Sequence, residues 1–133
     1  MRILGIIPAR GGSKGVPRKN IKLLGGKPLI WYTLMSAKES NLLSECIVST
    51  EDEEIKETSL GLGAMVPFIR PKELALDTTP TLPVLKHALL EMERQGKYFD
   101  AVCILQSTSP FRPPGFIDEC IEKFTQTEAD TLI

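Results

Sequence analysis

An α/β domain, with a mostly parallel sheet covered by helices on both faces in three layers, is the fold class this sequence predicts. Short β-branched apolar runs recur along the chain, at Arg2–Pro8, Cys46–Thr50 and Ala101–Gln106. Stretches of helical periodicity, of about 10–15 residues, separate them, and that alternation favours parallel strands with right-handed crossovers. The chain of 133 residues is 42% apolar and 25% charged, a globular composition over a single domain's length.

Arg2–Pro8 (RILGIIP) is a short, continuous apolar run and reads as a buried strand. Ala9–Asn20 is rich in glycine and in lysine and arginine, contains Pro17, and reads as a loop. Gly25-Gly26 marks a turn. Pro28 suits the first turn of a helix running to about Ser40, with Leu29, Ile30, Tyr32, Leu34 and Ala37 as its apolar face. Cys46–Thr50 is the second strand. Thr50 or Ser49 is expected to cap the following helix, whose first turn would hold Glu51, Asp52, Glu53 and Glu54, acids that complement the helix dipole. Gly61 and Gly63 end it, and Met65–Ile69 is expected to form a third strand.

Arg70–Pro80 has no apolar period and is expected to be an ordered loop. Leu82, Leu85, Ala88, Leu89 and Met92 recur at helical spacing, and Gly96 stops that helix. Ala101–Gln106 forms a fourth strand. Ser107–Pro114 is a loop leading to a helix over Gly115–Thr127. Asp130–Ile133 starts another strand where the sequence stops. That ending points to a single domain, residues 1–133, truncated at its C-terminus, with a short natural edge strand as the alternative.

The net charge of −1 conceals an asymmetry. Arg2, Arg10, Lys14, Arg18, Lys19, Lys22 and Lys27 fall in the first 27 residues, which hold no acid. Nucleic-acid binders usually carry a basic patch that dominates the domain, so this pattern argues instead for a focused site for a small polyanion. No apolar run approaches the roughly 20 residues of a membrane span or the 7–15 of a signal peptide's core. The three cysteines, Cys46, Cys103 and Cys120, are odd in number and lack C-x-x-C spacing, as expected of reduced thiols in a cytoplasmic protein. The single histidine, His87, excludes a histidine-rich metal site and reads as packed or surface-exposed. Trp31 and Tyr32 read as core rather than as a platform for a nucleobase.

The loop after the first strand, PARGGSKGVPRKN, carries the chemistry. It fits neither G-x-G-x-x-G nor G-x-x-x-x-G-K-[ST]. Its glycines nevertheless let the backbone approach an anion and aim N–H groups at it. Arg10, Lys14 and Lys19 concentrate positive charge at the carboxyl end of a strand, where open α/β sheets bind ligands. Two like charges about 4 Å apart near a surface repel by about 4 kcal/mol. A triphosphate would turn that cost into attraction; a solvated basic turn is the alternative.

The run IPARGGSKGVPRKN resembles the start of the acylneuraminate cytidylyltransferases, the CMP-sialic acid synthetase family. Three further stretches agree: Ser49-Thr50 with the acids after it, Arg70-Pro71-x-Glu73-Leu74-Ala75-x-Asp77-Thr78, and Leu105-Gln106-Ser107-Thr108-Ser109-Pro110-x-Arg112. The resemblance implies a Rossmann-like nucleotide-diphospho-sugar transferase fold. It also implies transfer of CMP from CTP to a sialic-type 3-deoxy-2-ulosonic acid with release of pyrophosphate. Arg10, Lys14 and Lys19 would hold the triphosphate and stabilise the leaving pyrophosphate. Ala9, Gly11, Gly12, Ser13 and Asn20 would complete the nucleotide site, with a backbone contact alone at Gly11, and Arg70, Asp77 and Thr81 would line the base and sugar region. Gln106 and Thr108 would face the acceptor, and Arg112 would pair with the acceptor carboxylate or with a structural acid. Magnesium is expected as cofactor, its ligands beyond residue 133 and none within the chain, and a homodimer is expected of the full-length chain, through a later segment.

Legionaminic or pseudaminic acid as acceptor, and GTP in place of CTP, are alternatives within the same reaction. Two rivals come from other classes. A truncated relative could bind nucleotide without activity. An NAD-binding domain would need the missing glycine spacing, and its acid after the second strand is only loosely met by Glu51 or Asp52. For the other candidates, Glu51–Glu54 read as a helix first turn rather than metal carboxylates. Ser107, Thr108 and Ser109 either cap the turn before Pro110 or contact the acceptor.

Overall fold

A computed structural model of the chain describes residues 1–12 and 17–127. Five strands and four helices are formed among them: β1 (Ile3–Pro8), β2 (Leu23–Leu24), β3 (Lys27–Pro28), α1 (Leu29–Glu39), β4 (Glu45–Ser49), α2 (Glu53–Gly61), α3 (Thr81–Arg94), β5 (Ala101–Ile104) and α4 (Phe116–Thr127). The principal sheet has the order β4-β1-β5, with both pairings parallel. Leu4 stands opposite Glu45 and Pro8 opposite Ser49, while Ile3 stands opposite Ala101 and Ile6 opposite Ile104. The apolar first run is therefore the central strand, and its carboxyl end lies between the carboxyl ends of its neighbours.

Side chains alternate across a strand, and here the alternation splits the core into two layers. Ile3 and Ile7 pack with Ile30 and Leu34 of α1, Ile55 of α2, and Ile117 and Ile121 of α4. Leu4 and Ile6 pack with Leu85, Ala88 and Met92 of α3. This is the α/β/α sandwich expected of the sequence, and full burial of each large aliphatic side chain is worth roughly 1.5–3 kcal/mol. Gly25 and Gly26, both at positive φ, make the turn between β2 and β3. Gly96 (φ 81°) follows the end of α3. None of the helices described is long and apolar enough to cross a membrane.

Two local expectations are corrected. Met65–Ile69 is not a strand: Met65 makes a single parallel bridge to Ile47. Val48 N–H donates to the Met65 carbonyl (2.9 Å) and Arg70 N–H to the Thr50 carbonyl (2.9 Å), but Pro67 between them has no N–H to continue a ladder. The cap of α2 is Asp52, whose carboxylate accepts the Ile55 N–H at 3.0 Å. Thr50 and Ser49 are fully buried and engaged elsewhere: the Thr50 hydroxyl accepts the Asp52 N–H (3.1 Å), and the Ser49 hydroxyl accepts from Arg70 (3.1 Å). The strand expected at Asp130–Ile133 lies outside the described residues.

Ile6 is completely buried at the centre of the sheet. Ile6→Ala is expected to lower the unfolding free energy by about 2–5 kcal/mol, read from the urea midpoint; a loss under about 1 kcal/mol would contradict its place in the central strand.

Candidate functional site

The Ala9–Asn20 loop leaves the carboxyl end of β1 and returns through a 3₁₀ turn at Lys19–Ile21. Its base is closed by the Arg18 N–H donating to the Gly11 carbonyl at 2.8 Å. The Asn20 amide donates to the Arg10 carbonyl (3.4 Å), tying the two arms together. Beside this loop lies a cavity of about 330 Å³. It is lined by Pro8, Arg10, Lys19 and Asn20, by Arg70, Leu74, Thr79, Thr81 and Val84, and by Gln106, Ser107 and Thr108. Seven residues singled out in the sequence thus meet at one concavity: Arg10, Lys19, Asn20, Arg70, Thr81, Gln106 and Thr108. They come from segments as far apart as residues 10 and 108 because the sheet order sets the ends of β1 and β5 side by side.

The cations differ in how far they are committed. Lys19 is exposed on the cavity wall. Arg10 reaches across the mouth: its Nη1 donates to the Gly12 carbonyl (2.8 Å) and to the Asp77 carboxylate (2.6 Å). Asp77 therefore meets the site through Arg10 without itself lining the cavity. Arg70 is 3% exposed and braces the wall, donating from Nε to the Ser49 hydroxyl (3.1 Å), from Nη2 to the Ser49 carbonyl (2.7 Å) and from Nη1 to the Leu74 carbonyl (3.3 Å). Burial pulls its guanidinium below the ordinary range; the Glu51 carboxylate opposes that and the Arg10 charge adds to it.

Other expected site residues stand apart from the cavity wall. Ala9 is buried, its N–H donated to the Ser49 carbonyl (2.9 Å). Gly11 is buried too, and its N–H is given to the Glu51 carboxylate rather than aimed at the cavity. A side chain there would sit 2.7 Å from Asp52 Cβ, so close approach is what requires glycine. Gly12 is exposed, its carbonyl taken by Arg10. Arg112 pairs with no acid among the described residues; it lies beyond the turn at 107–110, on the α1 side. There Nη1 donates to the Thr33 hydroxyl (3.1 Å) and Nη2 to the Gln106 carbonyl (2.8 Å). Ser13 and Lys14 lie outside the described residues.

The Ser107 hydroxyl is buried and finds no partner among the described residues, while the turn is closed by the Ser109 N–H on the Gln106 carbonyl (3.2 Å). Tyr32 packs edge-on to Trp31 and Phe111, and His87 edge-on to Phe68, all away from the cavity. The acids after β4 divide their tasks: Glu53 and Glu54 are in the first turn of α2, Asp52 is the cap, and Glu51 turns to Gly11. No three His, Cys, Asp or Glu side chains come together as metal ligands among the described residues. The described residues thus offer no such cluster for the magnesium that the resemblance implies.

A family model described as cytidylyltransferase matches residues 4–132. The chain is 43% identical over 122 residues to a CMP-N,N'-diacetyllegionaminic acid synthase of Legionella pneumophila, covering 92% of this chain and 53% of that protein. It is 41% identical over 132 residues to a pseudaminic acid cytidylyltransferase of Campylobacter jejuni, covering 99% of this chain and 57% of that one. The chain thus spans little more than half the length of these two relatives. A solved structure of CMP:2-keto-3-deoxy-manno-octonic acid synthetase complexed with CTP superposes with a TM-score of 0.80 at 21% identity, over 97% of this chain and 49% of that one.

Replacing Arg70 by Leu takes the donor from the Ser49 hydroxyl and the Leu74 carbonyl and leaves the Ser49 carbonyl with the Ala9 N–H alone, and is expected to lower the unfolding free energy by about 1–3 kcal/mol; an unchanged denaturation midpoint would contradict the brace. Burial opposes ionisation of Asp52, but the Arg18 hydrogen bond and the Ile55 N–H prevail and hold its carboxyl below the usual range. That contribution is present above the unfolded pKa of about 3.9 and is lost as pH falls through the folded one. Wild type should therefore lose more stability than Asp52→Asn between about pH 5 and pH 3, and parallel midpoint-against-pH curves would contradict the cap and ion pair.

Proposed function

The chain belongs to the cytidylyltransferase family, and from that premise we propose that it serves the transfer of CMP from CTP to a sialic-type 3-deoxy-2-ulosonic acid, with release of pyrophosphate. The observation that carries this reading is the cavity at the carboxyl ends of β1 and β5, whose lining brings Arg10 and Lys19 together with Gln106 and Thr108. A cationic wall suits a triphosphate tail; uncharged donors and acceptors suit a polyhydroxylated sugar. The names of the relatives, a legionaminic and a pseudaminic acid enzyme, support an acceptor of this class.

In the proposed reaction the sugar's anomeric hydroxyl attacks the α-phosphorus in line. The new bond joins that oxygen to phosphorus, the α–β bridging bond breaks, pyrophosphate leaves, and the hydroxyl proton passes to solvent. Transfer of this kind needs placement and charge neutralisation more than a covalent nucleophile. Arg10 and Lys19 hold the β- and γ-phosphates and take up charge on the leaving group. To do so Arg10 exchanges part of its contact with Asp77 for phosphate. Lys14 shares this role. Asn20 keeps the two arms of the loop together while it contacts phosphate or ribose. Arg70, through its brace, and Thr81 shape the wall for base and sugar. Gln106 and Thr108 meet the acceptor.

A magnesium ion and a homodimer of the full-length chain belong to the same proposal, as does a cytoplasmic site of action. The three thiols are unpaired, in keeping with a reducing compartment. GTP as donor is the alternative that a nucleotide comparison separates.

Calorimetric titration of CTP, GTP, UTP, ATP and NAD tests the reading. CTP is expected to bind most tightly, and Lys19→Ala to weaken it about 10- to 100-fold, the worth of one charge-assisted hydrogen bond. Equal affinity for NAD, or unchanged binding in the variant, would reject the assignment. Pyrophosphate release should require the sugar acid and CTP together.

A further inference from the structure

The loop bearing Arg10 and Lys19 is pinned at its neck by acids from a distant part of the sequence. The Gly11 N–H donates to both oxygens of the Glu51 carboxylate. The Gly11 carbonyl takes the Arg18 N–H at 2.8 Å. Arg18 itself has φ 52°, ψ 40°, a left-handed conformation uncommon outside glycine, which persists where the surroundings over-determine it. Its side chain is held by Asp52 (3.1 Å) and by Glu54 (3.1 Å). The same Asp52 caps α2, so the neck of the loop is anchored to a rigid element. Lys19 follows Arg18 directly, and Arg10 precedes Gly11. Both cations on the cavity wall are therefore one residue from a clamped position. Glu51 also offsets the repulsion between Arg10 and buried Arg70.

We propose that Glu51 is a positioning residue: its carboxylate, working with the Arg18–Asp52–Glu54 contacts, holds the neck so that Arg10 and Lys19 face the cavity. This rests on the nucleotide reading of that cavity. Glu51 acts through the loop and does not touch the nucleotide. The charge logic makes the role distinguishable from mere proximity. A carboxylate that only stood near a triphosphate would repel it, and its removal would tighten binding; a carboxylate that sets the geometry gives the opposite sign.

The test is a CTP titration of wild type, Glu51→Ala, Glu51→Gln and Lys19→Ala, with folding checked by circular dichroism. Misplacement of charged groups by a fraction of an ångström to an ångström is costly, and Glu51→Ala is expected to bind CTP about 10- to 100-fold more weakly. Glu51→Gln should stay within about threefold of wild type, because an amide oxygen still accepts the Gly11 N–H at about half the strength. Hydrogen exchange by NMR on the unaltered protein supplies a second readout that needs no variant: the Gly11 amide should be protected. Wild-type or tighter binding in Glu51→Ala, beside weakened binding in Lys19→Ala, overturns the positioning role and leaves the nucleotide site standing. Unchanged binding in both variants overturns both readings. A Gly11 amide exchanging at the rate of unstructured chain overturns the clamp.

Discussion

The pairing of β1 with a parallel neighbour on each side is the constraint from which everything at the site follows. Because β4 and β5 flank it in register, the loop that leaves β1 must emerge at the junction of three strand ends. The acids after Ser49 then fall on one side of it and Gln106–Thr108 on the other. The hydrogen bonds of the strand ends continue past the strands themselves: Ala9 N–H reaches the Ser49 carbonyl and Leu105 N–H the Ile6 carbonyl, each at 2.9 Å. A slip of one register would turn Ile6 and Ile7 to the wrong layers of the core, so burial on both faces of the sheet enforces the placement of the site.

Charge is organised around that junction in two shells. The cations Arg10 and Lys19 line the cavity, while the acids that hold the loop are not in its lining. Glu51 takes a backbone N–H, Asp52 and Glu54 take Arg18, and Asp77 takes Arg10. Each exposed pair contributes little by itself in water, but the arrangement offsets the mutual repulsion of a basic loop until an anion arrives. Arg70 is a different case. Desolvated and committed to Ser49 and Leu74, it is structural, and the cavity wall it shapes depends on it.

Much of this was legible in the residues. The β-branched runs, the helical spacing of Leu85, Ala88 and Met92, and the Gly25-Gly26 turn each announce their structure locally, and they hold. The loop's cations were legible from their type and their position after a strand, and the Gln106–Thr108 segment from its resemblance to the family's motif. What was not legible involves contacts between distant segments. Met65–Ile69 has a strand's composition, but Pro67 and its place at the edge beside β4 limit it to one bridge. Thr50 looks like a cap, yet burial withdraws it and Asp52 takes the role. Arg112 sits in a motif that points to a ligand, yet its guanidinium is used to fasten the 106–112 turn to α1. Glu51 carried one signal, an acid just past a strand that neighbours the glycine loop's strand, and that pattern alone does not say which backbone amide it will meet.

The central claim is that the connection after β1 holds a nucleoside triphosphate by its phosphates. The most direct measurement is a crystal structure of the protein grown with CTP. The account predicts β- and γ-phosphate oxygens within hydrogen-bond distance of Arg10 and Lys19, with the cytosine and ribose along the Arg70–Thr81 wall. Phosphate density away from both cations, or CTP bound outside this cavity, would contradict it.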